Sequence, residues 1–241
     1  MAQLVYGKNV VLNLLKKNKE IDFLYIQKSR NDDDVLYLAK KNNVNYKIVD
    51  RKVLDNLVNG NHQGYVARIK EYTIYTIEEI IESIPQGKQP LLVALDGLED
   101  PHNLGAILRT AACVGVDGVI FEKNRSVSLN STVAKVSVGA IDIVKVARVT
   151  NLVQTLNKLK NEGYWVIGTD VKDAVDYRSV DYDMPVVLVI GSEGKGMRRL
   201  VKENCDIKVM LPMESDIGSL NASVACAVLL YQIYSQRFPL K

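Results

Sequence analysis

Six apolar runs constrain this chain more than any other feature: LLVAL (91–95), GVIF (118–121), VKVARV (144–149), YWVIG (164–168), VVLVI (186–190) and IKVML (207–211). Each has the length of a buried strand. Helical runs near 101–114, 130–138, 151–162 and 196–203 separate most of them, and a last helix, Ser223–Phe238, follows. Continuous apolar strands alternating with helices predict an α/β fold whose parallel sheet is covered on both faces. Such sheets take ligands outside the carboxyl ends of their strands. Three polar, glycine-containing stretches follow strands at that end: GLEDPHNLG, GSEGKGM and PMESDIGSLN.

Residues 1–72 alternate helix and strand on a smaller scale. The pattern predicts helix Lys8–Lys17, strand Phe23–Gln27, helix Asp32–Asn42, strand Tyr46–Val49, helix Lys52–Val58 and strand Tyr65–Ile69. An acidic helix, TIEEIIESI, with Thr76 as its N-cap candidate, runs into PQGKQP, which continues neither element. The expected division is therefore 1–72 as a small α/β domain, 73–89 as linker and 90–241 as the larger α/β domain.

Charge separates the same regions. Residues 1–72 hold 13 Lys or Arg against 8 Asp or Glu, and the remainder holds 18 against 20. A basic module joined to a near-neutral body fits polyanion binding by the first and another task for the second. Lys28, Ser29, Arg30 and the loop NGNHQG are the loop groups available; His62 reads most simply as a loop hydrogen-bonder, with RNA contact as the sharper alternative. Cys113, Cys205 and Cys226 are odd in number and far apart, with only His62 and His102 beside them, so neither a disulfide framework nor a metal site is expected. Cys113 and Cys226 lie in helical apolar runs and read as small hydrophobes. The N-terminus lacks an apolar signal core and no run approaches the roughly 18 residues of a membrane span, so a soluble, cytoplasmic protein without membrane partners is expected.

Each polar stretch has its own chemistry. In the first, Asp100 is a good N-cap, Pro101 suits the first helical position and Gly115 suits a left-handed stop. Leu104, Ile107, Leu108 and Ala111 form the buried stripe. Arg109 is the one charged residue between Asp100 and Asp117; it is either a structural ion-pair partner or a guanidinium aimed at a substrate. The second stretch places Gly191, Gly194 and Gly196 in a turn, where backbone can approach a ligand closely. Its spacing matches neither the dinucleotide fingerprint nor the phosphate loop. In the third, Ser219, Asn221 and Ser223 cluster at a helix start, near Leu220, either as caps or as part of a polar pocket.

Taken together, DPHNLGAILRTA, IGSEGKGM and LPMESDIGSLNASVACAVLLYQ resemble the three motifs of the SpoU (TrmH) family of RNA ribose 2′-O-methyltransferases. YGKNVVLNLL, NHQGYVA and VAKVSVGAIDIVKVARVTNL resemble its RlmB-type branch, which acts on a guanosine of 23S ribosomal RNA. The sequence departs at Ser215, where the family usually has glycine, and at Gly218-Ser219. The resemblance implies a deep trefoil knot in the C-terminal domain, S-adenosylmethionine as cofactor, no metal, and a homodimer with its sites near the subunit interface. It places the cofactor against the backbone around Gly191, Leu211 and Leu220, with Thr169 beside them. It places Asn103, Arg109, Glu193, Ser219 and Asn221 around the reacting ribose.

The implied reaction transfers a methyl group from S-adenosylmethionine to the 2′-hydroxyl of a guanosine in 23S ribosomal RNA. The alternatives are transfer RNA as substrate, a noncatalytic RNA-binding or ribosome-assembly protein of the same fold, and a nucleotide-cofactor oxidoreductase using the Gly191–Gly196 turn. An ordinary Arg keeps its proton, so Arg109 is expected to act as an electrostatic clamp rather than a base. A bulky residue at Gly191 is expected to block the cofactor. The surplus apolar face formed by Val224, Val228 and Tyr231 with Leu229, Leu230 and Ile233 is expected to pair with a second copy.

Overall fold

All six apolar runs become strands of one parallel sheet. A computed structural model describes residues 3–240 except 17–20, 31–32, 70–71, 125, 128, 130, 172 and 215–217. The chain divides into two compact units, 1–71 and 72–241.

The first unit runs β1 (Gln3–Tyr6), α1 (Lys8–Lys16), β2 (Ile21–Gln27), α2 (Asp33–Lys41), β3 (Tyr46–Val49), α3 (Arg51–Leu57) and β4 (Tyr65–Ile69). Its described strands form a mixed sheet in the order β1-β4-β2-β3, with only the β2–β3 pair parallel. Val11, Leu14 and Leu15 of α1 and Val35 and Ala39 of α2 pack with Leu24, Ile26 and Ala67 of the sheet. Leu54 of α3 packs with Val49 and Val66. Strand β1, which the periodicity did not predict, is a short antiparallel partner of β4. Expected helix ends at Lys17 and Asp32 fall outside the described residues. His62 is buried: its Nδ1 accepts the Gly64 N–H at 3.0 Å, so Nε2 carries the proton and donates to Asp55 Oδ1 at 2.9 Å. It is a structural hydrogen-bonder within the first unit.

The second unit runs α4 (Ile77–Glu82), β5 (Leu91–Asp96), α5 (Pro101–Val114), β6 (Gly118–Glu122), α6 (Ser131–Ser137), β7 (Lys145–Val149), α7 (Leu152–Asn161), β8 (Trp165–Thr169), β9 (Val175–Asp176), β10 (Val186–Gly191), α8 (Arg199–Glu203), β11 (Ile207–Met210) and α9 (Ala222–Arg237). Thr76 closes a full capping box on α4. Tyr75 bridges Ala147, and Ile77 and Ile80 sit in the core of this unit, so the stretch expected to be linker contributes a packed helix.

The described strands order as β7-β6-β5-β10-β8-β11-β9, every pair parallel. Alternate residues of β5 and β10 enter opposite cores. Leu91, Val93, Leu95, Val186, Leu188 and Ile190 face α5 and α9, while Leu92, Ala94, Val187 and Val189 face α4, α7 and α8. Both faces are covered, as uninterrupted apolar strands require. From β5 the chain steps outward through β6 and β7, then resumes on the other side at β8, with β10 inserted between β5 and β8. The order in which strands are added therefore reverses beside β10, the place where open parallel sheets leave a crevice between diverging loops.

Candidate functional site

Three loops meet at the carboxyl ends of β5, β10 and β11. Asp100 caps α5 by accepting the His102 N–H, Pro101 opens the helix and Gly115 ends it at φ 73°. This fixes Asn103 in the first turn, where it is buried. The turn after β10 closes on itself through Ser192 and Gly196, which exchange backbone hydrogen bonds at 3.1 and 2.9 Å, with Gly194 and Gly196 at φ 74° and 65°. Gly196 holds residues 196–198 in this turn, so α8 starts at Arg199, later than its periodicity suggests. The helix after β11 likewise starts at Ala222 rather than near Leu220, because Asn221 is its N-cap: Oδ1 accepts the Ser223 and Val224 N–H groups at 2.9 and 3.3 Å. Ser215 lies outside the described residues.

Asn221 is both cap and pocket residue. While Oδ1 caps the helix, its Nδ2 donates to Asn103 Oδ1 at 2.9 Å and to Glu193 Oε1. Asn103 Nδ2 donates to the same Glu193 oxygen at 2.9 Å. Residues separated by 90 and 118 positions thus close a three-membered polar ring, one from each loop. Among the described residues Glu193 Oε2 makes no hydrogen bond, and the carboxylate is exposed, so it is an open acceptor.

Beside this ring lies a cavity of about 380 Å³ whose lining includes Thr169, Gly191, Glu193, Leu211, Ser219 and Leu220. Its floor is the end of the sheet, and Asp170 and Lys202, ion-paired at 2.9 Å, belong to its wall. Thr169 Oγ1 donates to the Val189 carbonyl at 3.4 Å. Gly191 lines the cavity and is also held by packing: a Cβ there would sit 2.3 Å from the carbonyl carbon of Gly196 and 2.4 Å from the Met197 nitrogen. Any side chain at 191 would displace the turn before it reached a ligand.

Of the nine residues singled out in the sequence, six line the cavity and Asn103 and Asn221 join Glu193 at its rim. Arg109 does not join them. It lies six residues beyond Asn103, roughly 9 Å along the helix axis. It is exposed and makes no hydrogen bond or ion pair among the described residues. Cys113, one turn further, is exposed rather than packed, while Cys226 is fully buried. The sequence reading missed a charged cluster behind the turn, where Arg198 binds Asp96 and Glu122. The available signal was Asp96 itself, a carboxylate ending an otherwise apolar strand. Among the described residues there is no group of three His, Cys, Asp or Glu placed to hold a metal ion, and no helix long and apolar enough to cross a membrane.

The SpoU rRNA methylase family model matches residues 90–231, the part of the chain that builds this site. The chain belongs to that family. A second model, RNA 2′-O ribose methyltransferase substrate binding, matches residues 4–75. YacO of Bacillus subtilis, a protein named for the TrmH family of tRNA/rRNA methyltransferases, is 46% identical over 98% of this chain and 96% of its own length. A protein of Staphylococcus haemolyticus named for the same family is 46% identical over 97% and 95%. The fold agrees with solved members. The AdoMet-bound rRNA methyltransferase of Sinorhizobium meliloti aligns over 99% of this chain and 88% of that one, with TM-score 0.65 and 24% identity. The A. aeolicus TrmH/SpoU tRNA modifying enzyme aligns over 66% and 81%, with TM-score 0.59 and 32% identity.

Proposed function

We propose that this SpoU-family protein transfers a methyl group from S-adenosylmethionine to the ribose 2′-hydroxyl of a guanosine in 23S ribosomal RNA, and works in the cytoplasm. The observation that carries the reading is the cavity with the Asn103–Glu193–Asn221 ring at its rim. A cavity of about 380 Å³ is within the range of small-molecule sites. Its apolar wall from Ile190, Leu211 and Leu220, with Thr169 and exposed loop backbone beside it, suits a nucleoside-bearing cofactor. The cofactor supplies an activated methyl group bonded to a positive sulfur, so no metal is needed.

The chain's own residues then align the acceptor. Glu193 Oε2 accepts from a donor on the nucleotide, while the two amides locked onto Oε1 keep the carboxylate from rotating. Ser219 stands on the cavity wall to hold the ribose edge. Alignment of this kind supplies roughly 7–11 kcal/mol in favourable cases. Arg109 contributes a guanidinium that binds the adjoining phosphate and stabilises charge developing on the 2′-oxygen. Its distance from the ring within one chain supports a homodimer in which Arg109 of one protomer serves the cavity of the other. The outer face of α9 supports the same assembly: Val224, Val228 and Tyr231 are 47%, 37% and 51% exposed in an apolar stripe. The first unit, matched by the substrate-binding model and carrying the positive charge excess, holds the RNA, with Lys28 and Arg30 as exposed loop cations.

Incubation of in vitro transcribed 23S RNA and of transfer RNA, each with methyl-labelled S-adenosylmethionine, followed by mapping of the labelled nucleotide, tests this. A labelled guanosine 2′-O-methyl is expected. Label in transfer RNA alone, which the names of the tRNA/rRNA relatives keep as the second reading, would redirect the substrate, and tight RNA binding without label would indicate a noncatalytic protein.

A further inference from the structure

Residues 192–197 leave the sheet at Gly191 and return to helix α8 through Arg198, and both ends of this excursion meet one residue. Gly191 is the in-register neighbour of Asp96 across the β5–β10 ladder. Arg198 binds the Asp96 carboxylate through its backbone N–H to Oδ2, and through Nε and Nη2 to Oδ1, each at 2.6 Å. Asp96 is 1% exposed. The same Nη2 lies 2.8 Å from Glu122 Oε2 at the end of β6, and Glu122 Oε1 accepts the Leu152 N–H that opens α7. One side chain therefore ties the ends of β5, β6 and β10 together.

Besides this contact, Met197, buried in the core, anchors the base of the turn, while the rest of it is open. It contains two glycines in left-handed conformation, its internal closure is the Ser192–Gly196 pair, and residues 193–196 are exposed. Yet Glu193 must present Oε1 to two amides from distant loops. We propose that Asp96 and Arg198 form a staple that holds the Glu193 turn in register with Asn103 and Asn221, making Arg198 a positioning residue for methyl transfer. A forked, charge-assisted contact suits this task, since it fixes direction as well as distance. The loop's other cation, Lys195, faces the cavity and has no part in the staple. The proposal rests on the functional reading of Glu193 given above.

The test compares Arg198→Lys, Arg198→Ala and Glu122→Gln with the wild type in steady-state methyl transfer to whichever RNA the wild type labels, with rates normalised to folded protein. Arg198→Lys keeps a cation against Asp96 but loses the fork; it should lower kcat about tenfold with the KM for RNA unchanged, and Arg198→Ala should lower kcat about 100-fold, as small misplacements of reacting groups do. Glu122→Gln, which leaves Asp96 bound, should stay within about threefold of wild type. Wild-type kcat in folded Arg198→Lys would overturn the proposal, even if Arg198→Ala fails to fold. If the wild type labels no RNA, the functional reading fails separately. Hydrogen exchange of amides 192–197 then decides the staple: faster exchange in Arg198→Lys supports it and unchanged exchange overturns it.

Discussion

Asn221 shows how much one side chain carries when its two polar atoms face different ways. Its carbonyl oxygen caps α9 and its amide nitrogen completes the ring with Asn103 and Glu193. The two roles separate by substitution. Asn221→Ala should lose the cap, about 1 kcal/mol of stability, together with methyl transfer. Asn221→Ser retains a capping oxygen and should melt near the wild-type temperature while still losing transfer. Wild-type activity in Asn221→Ser, measured alongside thermal melts, would leave Asn221 as a cap only. Arg109 is the opposite case, an exposed cation without an intrachain partner among the described residues. Arg109→Ala should fold and bind S-adenosylmethionine normally in calorimetry but lose about 10²–10³ in kcat, the scale for removing one charge-stabilising donor. Arg109→Lys should rescue poorly, because a point charge lacks the planar fork. Turnover near wild type in Arg109→Ala would remove the residue from the site. The cysteines divide by burial: desolvation pushes the thiols of Cys205 and Cys226 up to about 12, so both stay protonated at neutral pH and act as small hydrophobes.

At the scale of elements, α9 joins the site to the proposed dimer face. Ala222, Cys226, Leu229, Leu230 and Ile233 bury its inner face against the sheet. At its far end Arg237 donates to the carbonyls of Gln89, Pro90, Tyr182 and Met184, locking the helix across the starting ends of β5 and β10. The helix is thus pinned at both ends and along one side, and its outer stripe of Val224, Val228 and Tyr231 is exposed, the face proposed to pair with a second copy. Tyr231→Glu places a charge in the middle of that stripe without touching the core. It should yield a folded monomer by light scattering at micromolar concentration, with cofactor binding kept and methyl transfer lost. A monomeric variant with full activity would show that Arg109 serves its own chain.

At the scale of the molecule, each of the two units has its own sheet and its own apolar clusters. Division into units with separate cores predicts independent folding. A chain beginning at Tyr72 should therefore fold and bind S-adenosylmethionine as the full chain does, while its RNA affinity falls and becomes less steeply dependent on salt, since the cations of residues 1–71 are gone. Unchanged RNA affinity and salt slope would place substrate binding entirely in the second unit. The charge split is the sequence property behind this expectation, because charge excess is a sum over residues and needs no fold to be read.

The sequence by itself determined what depends on neighbours along the chain. Period and apolar continuity located the six long strands and most helices, and local chemistry located the caps at Thr76 and Asp100 and the stop at Gly115. Strands β1 and β9 escaped because their own residues do not mark them as strands; they exist through their partners β4 and β11. The motifs named all three members of the polar ring, yet not that they touch: hydrogen bonds across 90 and 118 positions depend on where three loops end in space. Only tertiary structure decided that Arg109 stands apart from them, that Gly191 is required by the backbone of Gly196 and Met197, and that Asp96 holds Arg198. Side-chain direction and burial come from packing between elements far apart in sequence, and no pattern along the chain encodes them singly.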